Sequence, residues 1–253
     1  MAEHRIALVT GANRGLGRST ALALAHRDAK VVVTYRDGAA GAAETVQMIQ
    51  EAGGDAVAKR LDISDVGSFA TFTTELTDEI RARWASGKLD VLVNNAGIGL
   101  FGRLEDVTVE SFDALVHTNL RGTFFLIQAL VPHLAEGGRI INVSTSLTRH
   151  VSPGTSVYSA SKAAVEAFSR SLAAELGPRG IRINAVAPGP SATDFNGGAM
   201  RDDPELRGAL AAQTALGRVG KPEEIGDAIA ALTSADMRWI TAERIEVSGG
   251  ALL

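Results

Sequence analysis

Short, β-branched apolar runs alternate along this chain with longer stretches in which apolar residues recur three and four positions apart. No other feature of the sequence limits its fold so strongly. The runs cover residues 6–9, 30–34, 56–61, 89–93, 139–143, 181–186 and 244–247. Their near-continuous hydrophobicity is that of strands buried on both faces. The helical stretches cover 18–28, 42–52, 69–84, 112–134, 160–176 and 222–234. Strand and helix in regular alternation imply a parallel sheet with right-handed crossovers and helices on both faces. At 253 residues the chain suits one large core, so residues 1–253 are expected to form a single α/β domain with a doubly wound sheet of about seven strands. The irregular Gly/Pro/Asp-rich stretch that begins at Pro188 is followed by too little chain for a second domain. Residues 188–210 are therefore expected to act as a substrate loop or lid.

The first run leads into Thr10-Gly11-Ala12-Asn13-Arg14-Gly15-Leu16-Gly17. A strand that turns tightly into a helix N-terminus, with no Cβ in the way, is a pyrophosphate cradle. Its context, the first strand-to-helix turn of an alternating pattern, marks the fold as Rossmann-like and the ligand as a dinucleotide. Gly11, Asn13, Arg14, Gly15, Leu16 and Gly17 are the expected contacts, with a glycine spacing wider than the common fingerprint. The second run ends in Tyr35-Arg36, where an NAD enzyme usually carries a carboxylate for the ribose 2′-hydroxyl. An acid there would repel a 2′-phosphate, whereas Arg36, with Arg14 from the glycine turn, would pair with it. NADP(H) is therefore the preferred cofactor and NAD(H) the alternative.

Tyr158 and Lys162 stand four residues apart in a helical stretch, on one face. Carbonyl reduction needs a proton donor to oxygen as hydride reaches carbon. A free tyrosine titrates too high for good acid–base work at neutral pH, and a nearby ammonium is expected to lower it. Asn119 interrupts an apolar helix, where asparagine is a poor interior residue and costly to bury unpaired.

Together with Asn94-Asn95-Ala96-Gly97, the Ser144-Thr145-Ser146 stretch and Pro188-Gly189, these motifs follow one another in an order that resembles the short-chain dehydrogenase/reductase family over essentially the whole chain. The resemblance implies that Asp62 and Ile63 hold the adenine and that Asn95, with Ala96 and Gly97, lines the adenosine side. Pro188, Gly189, Ser191 and Thr193 would meet the nicotinamide end. Lys162 would also bond the nicotinamide ribose beside Tyr158, and Asn119 would bend its helix and hold a water. The family usually places a serine thirteen residues before the tyrosine; here that position is Thr145, which offers the same hydroxyl with a stiffer rotamer. Ser144 and Ser146 remain close alternatives. Helices of this family pair across subunits, so Phe124, Phe125, Leu126, Ala164, Phe168, Leu172 and the apolar C-terminus point to a homotetramer, with a dimer second. A 3-oxoacyl carrier-protein reductase is one candidate, for which Arg179 would suit, but Glu136 stands where a basic residue would help. The reading leans toward a small ketone, sugar or polyol. The alternative class is a catalytically silent NADP(H)-binding regulator, which would have lost Tyr158 or Lys162.

Composition bounds the rest. A net charge of −4 offers nothing to a nucleic acid. With no cysteine there is no disulfide, thiolate metal site or cysteine nucleophile, and no His/Asp/Glu cluster has metal-ligand spacing. No Gly-x-Ser-x-Gly elbow supports a hydrolase. No apolar run approaches the roughly 20 residues of a membrane span. No signal-like segment precedes the first strand, so a cytoplasmic protein is expected.

Overall fold

The structure, a computed structural model, describes residues 5–253. Its strands are β1 (Ile6–Val9), β2 (Lys30–Tyr35), β3 (Ala56–Arg60), β4 (Leu89–Asn94), β5 (Leu134–Val143), β6 (Arg182–Pro188) and β7 (Arg244–Val247). They form one sheet in the order β3-β2-β1-β4-β5-β6-β7, every pair parallel. Its helices are α1 (Gly15–Ala25), α2 (Ala39–Glu51), α3 (Phe69–Trp84), α4 (Val109–Leu115), α5 (Thr123–Leu130), α6 (Ser156–Leu176), α7 (Ala199–Asp202), α8 (Pro204–Ala212) and α9 (Pro222–Leu232). The chain belongs to the doubly wound, Rossmann-like α/β class expected from the alternation.

Successive strand residues point to opposite faces, which is why the runs are apolar throughout. Ala7, Val9, Val31, Val33, Val91 and Val93 form one core with α1, α2 and α9. Ile6, Leu8, Val32, Leu92, Ile140 and Ile183 form the other with α3, α5 and α6. The strand order reverses between β1 and β4. Crossovers leave in opposite directions there and open a crevice at the carboxyl ends of the strands, the usual ligand site of an open α/β sheet.

The structure departs from the sequence expectations in three places. The helix expected over 112–134 is broken: Thr108 and Ser111 cap α4 reciprocally, a π-helical turn follows at Val116–Gly122, and α5 ends at Leu130. Pro132 lacks an N–H to continue the helix, and Leu134 already pairs with Leu89 at the start of β5. Helix α1 begins at Gly15, directly from the glycine turn, and the chain leaves it with Asp28 at φ 62. The stretch after Pro188 is not wholly irregular. It contains α7 and α8, the latter started by Pro204 and by Asp203, whose carboxylate accepts from Glu205 N and Leu206 N.

Helix α9 lies on α1 at Gly226, where a Cβ would stand 2.6 Å from the Ser19 carbonyl oxygen. Gly226→Ala should therefore cost about 1–3 kcal/mol through forced separation of the two helices. Gly208→Ala in α8, with nothing within 4 Å of the added carbon, should be neutral or stabilising by up to ~1 kcal/mol. Thermal unfolding of the two variants checks this; equal shifts would contradict it.

Candidate active site

The glycine turn is built as its sequence requires. Gly11 and Gly15 have φ of 63° and 54°, which other residues adopt only with strain. A Cβ on Gly17 would lie 2.3 Å from the Gly11 carbonyl oxygen. The turn is fastened to the end of β4. Thr10 Oγ1 accepts from the Asn95 and Ala96 amides, both at 2.9 Å, and Asn95 Nδ2 donates to the carbonyls of Thr10 (2.8 Å) and Gly11 (3.2 Å). The Asn95 side chain thus holds the turn itself.

The turn opens onto a cavity of about 960 Å³. Gly11, Asn13, Arg14, Gly15, Leu16, Gly17, Arg36, Asp62, Ile63, Asn95, Ala96 and Gly97 line it on the side of β1–β4. Thr145, Tyr158, Lys162, Pro188, Gly189, Ser191 and Thr193 line it on the side of β5 and β6. Tyr35 is not among the lining residues; its ring packs against the core under α1 and α2. Arg36 is half-exposed and pairs with Asp37 at 2.6 Å, and Arg60 on the neighbouring strand donates to its carbonyl. Arg14 reaches the other way, donating to the Asp194 carbonyl at 3.0 Å, with that residue's carboxylate 3.8 Å away. Burial alone would raise the Asp62 carboxyl, but hydrogen bonds from Ser64 and the nearby Arg36 and Arg60 charges hold it below the usual carboxylate range. Glycines without a Cβ at a helix N-terminus, and Arg36 preceded by Tyr35 rather than by an acid, fit a dinucleotide that carries a 2′-phosphate; Arg14 also lines the cavity, although its side chain here meets Asp194.

Tyr158 and Lys162 lie one turn apart on α6, both buried. Lys162 Nζ donates to the Val143 carbonyl at 2.8 Å. Thr145 follows β5 and lines the cavity with Tyr158; its hydroxyl accepts from Leu147 N at 3.3 Å and lies close enough to the phenol to lower its pKa. Ser144 and Ser146, the neighbouring alternatives, also line the cavity, but the Ser144 hydroxyl is engaged by Glu166. Asn119 is fully buried within the π turn and does not line the cavity. Its amide grips the loop after β4: Oδ1 accepts from Ile98 N and Nδ2 donates to Ile98 O, both at 2.9 Å. It also reaches Ser161 Oγ at 3.3 Å. Gly97 permits this approach, since a Cβ there would lie 3.0 Å from Asn119 Oδ1 and 3.3 Å from Lys162 Nζ.

The electrostatics differ from the expectation that the lysine pulls the phenol down. Burial pushes Tyr158 up to about 12, only partly offset by its hydrogen bond with Thr145. Burial also pushes Lys162 down to about 8. In so enclosed a site, loss of hydration is the largest cause for both groups.

Two aromatic residues frame the phenol: Phe101, which no sequence signal marked, and Phe195, which lies in the expected substrate loop. Phe101 meets the Tyr158 ring edge-on with centroids 5.4 Å apart, and Phe195 lies at 6.2 Å. Both sit in segments without periodicity. Conversely, Arg179 is bound to Glu136 (2.8 Å) and to the carbonyls of Val131 and Leu134, at the amino-terminal end of β5. It lies across the sheet from the cavity and cannot meet a carrier there. No group of three or more His, Asp or Glu among the described residues is arranged to hold a metal.

Comparison with known proteins agrees with this geometry. A family model described as enoyl-(acyl carrier protein) reductase matches residues 11–251. An uncharacterized oxidoreductase of Methylorubrum extorquens is 41% identical over 98% of each chain. The trihydroxynaphthalene reductase PfmaI of Pestalotiopsis fici is 37% identical over 99% of this chain and 90% of its own. Among solved structures, the angucycline C-6 ketoreductase LanV with bound NADP superposes with a TM-score of 0.93 at 40% identity, covering 98% of this chain and 95% of that one. The promiscuous reductase LugOII, which catalyzes keto-reduction at C1 during lugdunomycin biosynthesis, gives 0.94 at 39% identity over 98% of both. The chain belongs to the short-chain dehydrogenase/reductase family, oxidoreductases that act on carbonyl groups.

Replacing Asn119 by leucine would leave both polar groups of the Ile98 peptide without partners. A loss of ~2–4 kcal/mol is expected, read as a lower denaturation midpoint; Asn119→Asp, which keeps the acceptor, should lose less.

Proposed function

We propose that this protein is an NADPH-dependent reductase of rigid, planar aromatic ketones. The observation that carries the reading is that the hydroxyl residues Thr145 and Tyr158 line the same cavity as the apolar Ile98, Phe101, Leu147, Phe195, Met200 and Leu206. A sugar or polyol would leave its hydroxyls without partners against such walls. A fused-ring ketone would bury its faces there and present one oxygen to the hydroxyl pair. The polycyclic and naphthalene substrates named for similar reductases support this choice.

In this reading the amides at the N-terminus of α1 hold the pyrophosphate, Arg14 and Arg36 the 2′-phosphate, and Asp62 and Ile63 the adenine. Pro188, Gly189, Ser191 and Thr193 border the nicotinamide. When bound, the reduced cofactor supplies hydride to the carbonyl carbon. Thr145 and Tyr158 donate hydrogen bonds to the carbonyl oxygen, and Tyr158 gives up its proton as negative charge develops on that oxygen. A phenol whose pKa is raised by burial still protonates an alkoxide downhill, because an alkoxide is a far stronger base than a phenolate. The Lys162 ammonium, one helical turn away, stabilises the phenolate left behind. Asn119 keeps the loop at Gly97-Ile98 against this group. Residues 188–210, with α7 and α8, act as the lid of the single domain. The protein works as a homotetramer: Val109, Phe112 and Phe125 remain 71, 47 and 36% exposed, while Leu126 is part of the core and Phe168 and Leu172 pack against it. Light scattering distinguishes the tetramer from a dimer.

NADPH consumption with bicyclic to tetracyclic aromatic ketones, keto sugars and 3-oxoacyl thioesters tests the reading. Aromatic ketones should be favoured in kcat/KM by at least about tenfold, and NADPH over NADH by a similar factor. Tyr158→Phe should lower kcat by ~10²–10⁴. Tight NADPH binding with no turnover of any ketone would favour a regulator instead.

The pH dependence follows from the two shifted groups. Lys162 is cationic below about 8 and neutral above it, and Tyr158 keeps its proton up to about 12. Ketone reduction should thus be level from pH 6 to its fall above about 8. Lys162→Met should be slower and show no bend near 8; a bend that survives would contradict the assignment to lysine.

A further inference from the structure

Behind Thr145 lies a buried polar group that the site described so far does not use. Glu166 follows Lys162 on α6 as Lys162 follows Tyr158, so the three share one face of the helix. It is only 8% exposed and does not line the cavity. Its Oε1 accepts from Ser144 Oγ (2.5 Å), Thr148 Oγ1 (2.8 Å) and Arg244 Nε (2.9 Å). Arg244 comes from β7, the edge strand next to β6, and is also absent from the cavity wall. Its Nη2 donates to the Thr145 carbonyl at 3.2 Å and its Nη1 to Glu246 Oε2 at 2.5 Å. Thr148 Oγ1 stands 3.0 Å from that same carbonyl.

The chain on either side of the Thr145 hydroxyl is therefore tied to the Glu166–Arg244 pair, which Glu246 extends: at the Ser144 side chain, at the Thr145 carbonyl and at the Thr148 side chain. A buried ion pair is a poor source of net stability compared with apolar packing. What it supplies is direction, because the planar guanidinium fixes two acceptors at once. Here those acceptors are the Glu166 carboxylate and the backbone of the residue whose hydroxyl faces Tyr158. A hydroxyl that must meet a carbonyl oxygen to within a fraction of an ångström needs such a backing.

We infer that Arg244 and Glu166 are positioning residues that hold the Thr145 hydroxyl in register with Tyr158, an inference that rests on the role given to Thr145 under the proposed function. Arg244→Lys tests it, because an ammonium can keep the ion pair with Glu166 but cannot also hold the Thr145 carbonyl in a planar fork. With an aromatic ketone, kcat should fall about tenfold or more, while the Kd for NADPH, read by nicotinamide fluorescence, stays within about twofold. Glu166→Gln should act in the same direction, and carries the test alone if Arg244→Lys does not fold. The decisive comparison is a double-mutant cycle with Thr145→Ala. If Arg244 acts through Thr145, its replacement should matter at least about threefold less once the hydroxyl is gone. Losses that simply multiply, or a loss in NADPH affinity that accounts for the fall in rate, would overturn the positioning role. Full activity of Thr145→Ala would instead overturn the assignment of Thr145 on which the inference rests.

Discussion

Burial sets the character of this site. Enclosure at the strand ends removes water from Tyr158 and Lys162 and pushes each toward its uncharged form. The same enclosure strengthens every hydrogen bond and charge within it. A phenol kept protonated well above neutrality is suited to giving a proton to an oxygen that becomes strongly basic, and poorly suited to taking one.

The fold delivers that environment from separate parts of the chain. The reversal of strand order between β1 and β4 opens the crevice. The glycine turn after β1 and the Asn95 amide after β4 close around each other. The end of β5 brings Thr145, α6 brings Tyr158 and Lys162, and the π turn lets Asn119 reach the loop at Ile98. A π turn of this kind spoils regular helix packing and is found most often where a side chain has a functional duty. The second core beneath α3, α5 and α6 absorbs the cost of placing these polar groups in the interior.

Much of this was legible in the residues. Continuous β-branched runs gave away strands covered on both faces, and their boundaries hold to within a residue or two except at β5. The glycine turn and the Tyr158–Lys162 spacing are local signals, and local signals survive folding. What was hidden depends on contacts between distant segments. The stretch around Asn119 has helical composition; the asparagine pointed to a bend there, but not to a π-helical turn. Gly137-Gly138 masked the early start of β5 at Leu134. Tyr35 reads as a cofactor contact beside Arg36, but strand alternation turns it onto the core. Arg14 carries the charge a 2′-phosphate needs, yet the residue it meets, Asp194, is 180 positions away. Phe101 and Phe195 acquire meaning only when two irregular segments converge on one phenol. Glu166, by contrast, continues the four-residue stripe of Tyr158 and Lys162 and could have been singled out by spacing alone.

Under the proposed function, hydride goes to the carbonyl carbon of a planar aromatic ketone and a proton to its oxygen. Mass spectrometry of the product formed from a bicyclic aryl ketone and NADPH deuterated at both C4 positions tests it most directly. The expected product is an alcohol that carries one deuterium on the carbinol carbon, with none on oxygen after exchange into ordinary water. A product without deuterium at that carbon, or label delivered to a ring position instead, would contradict it.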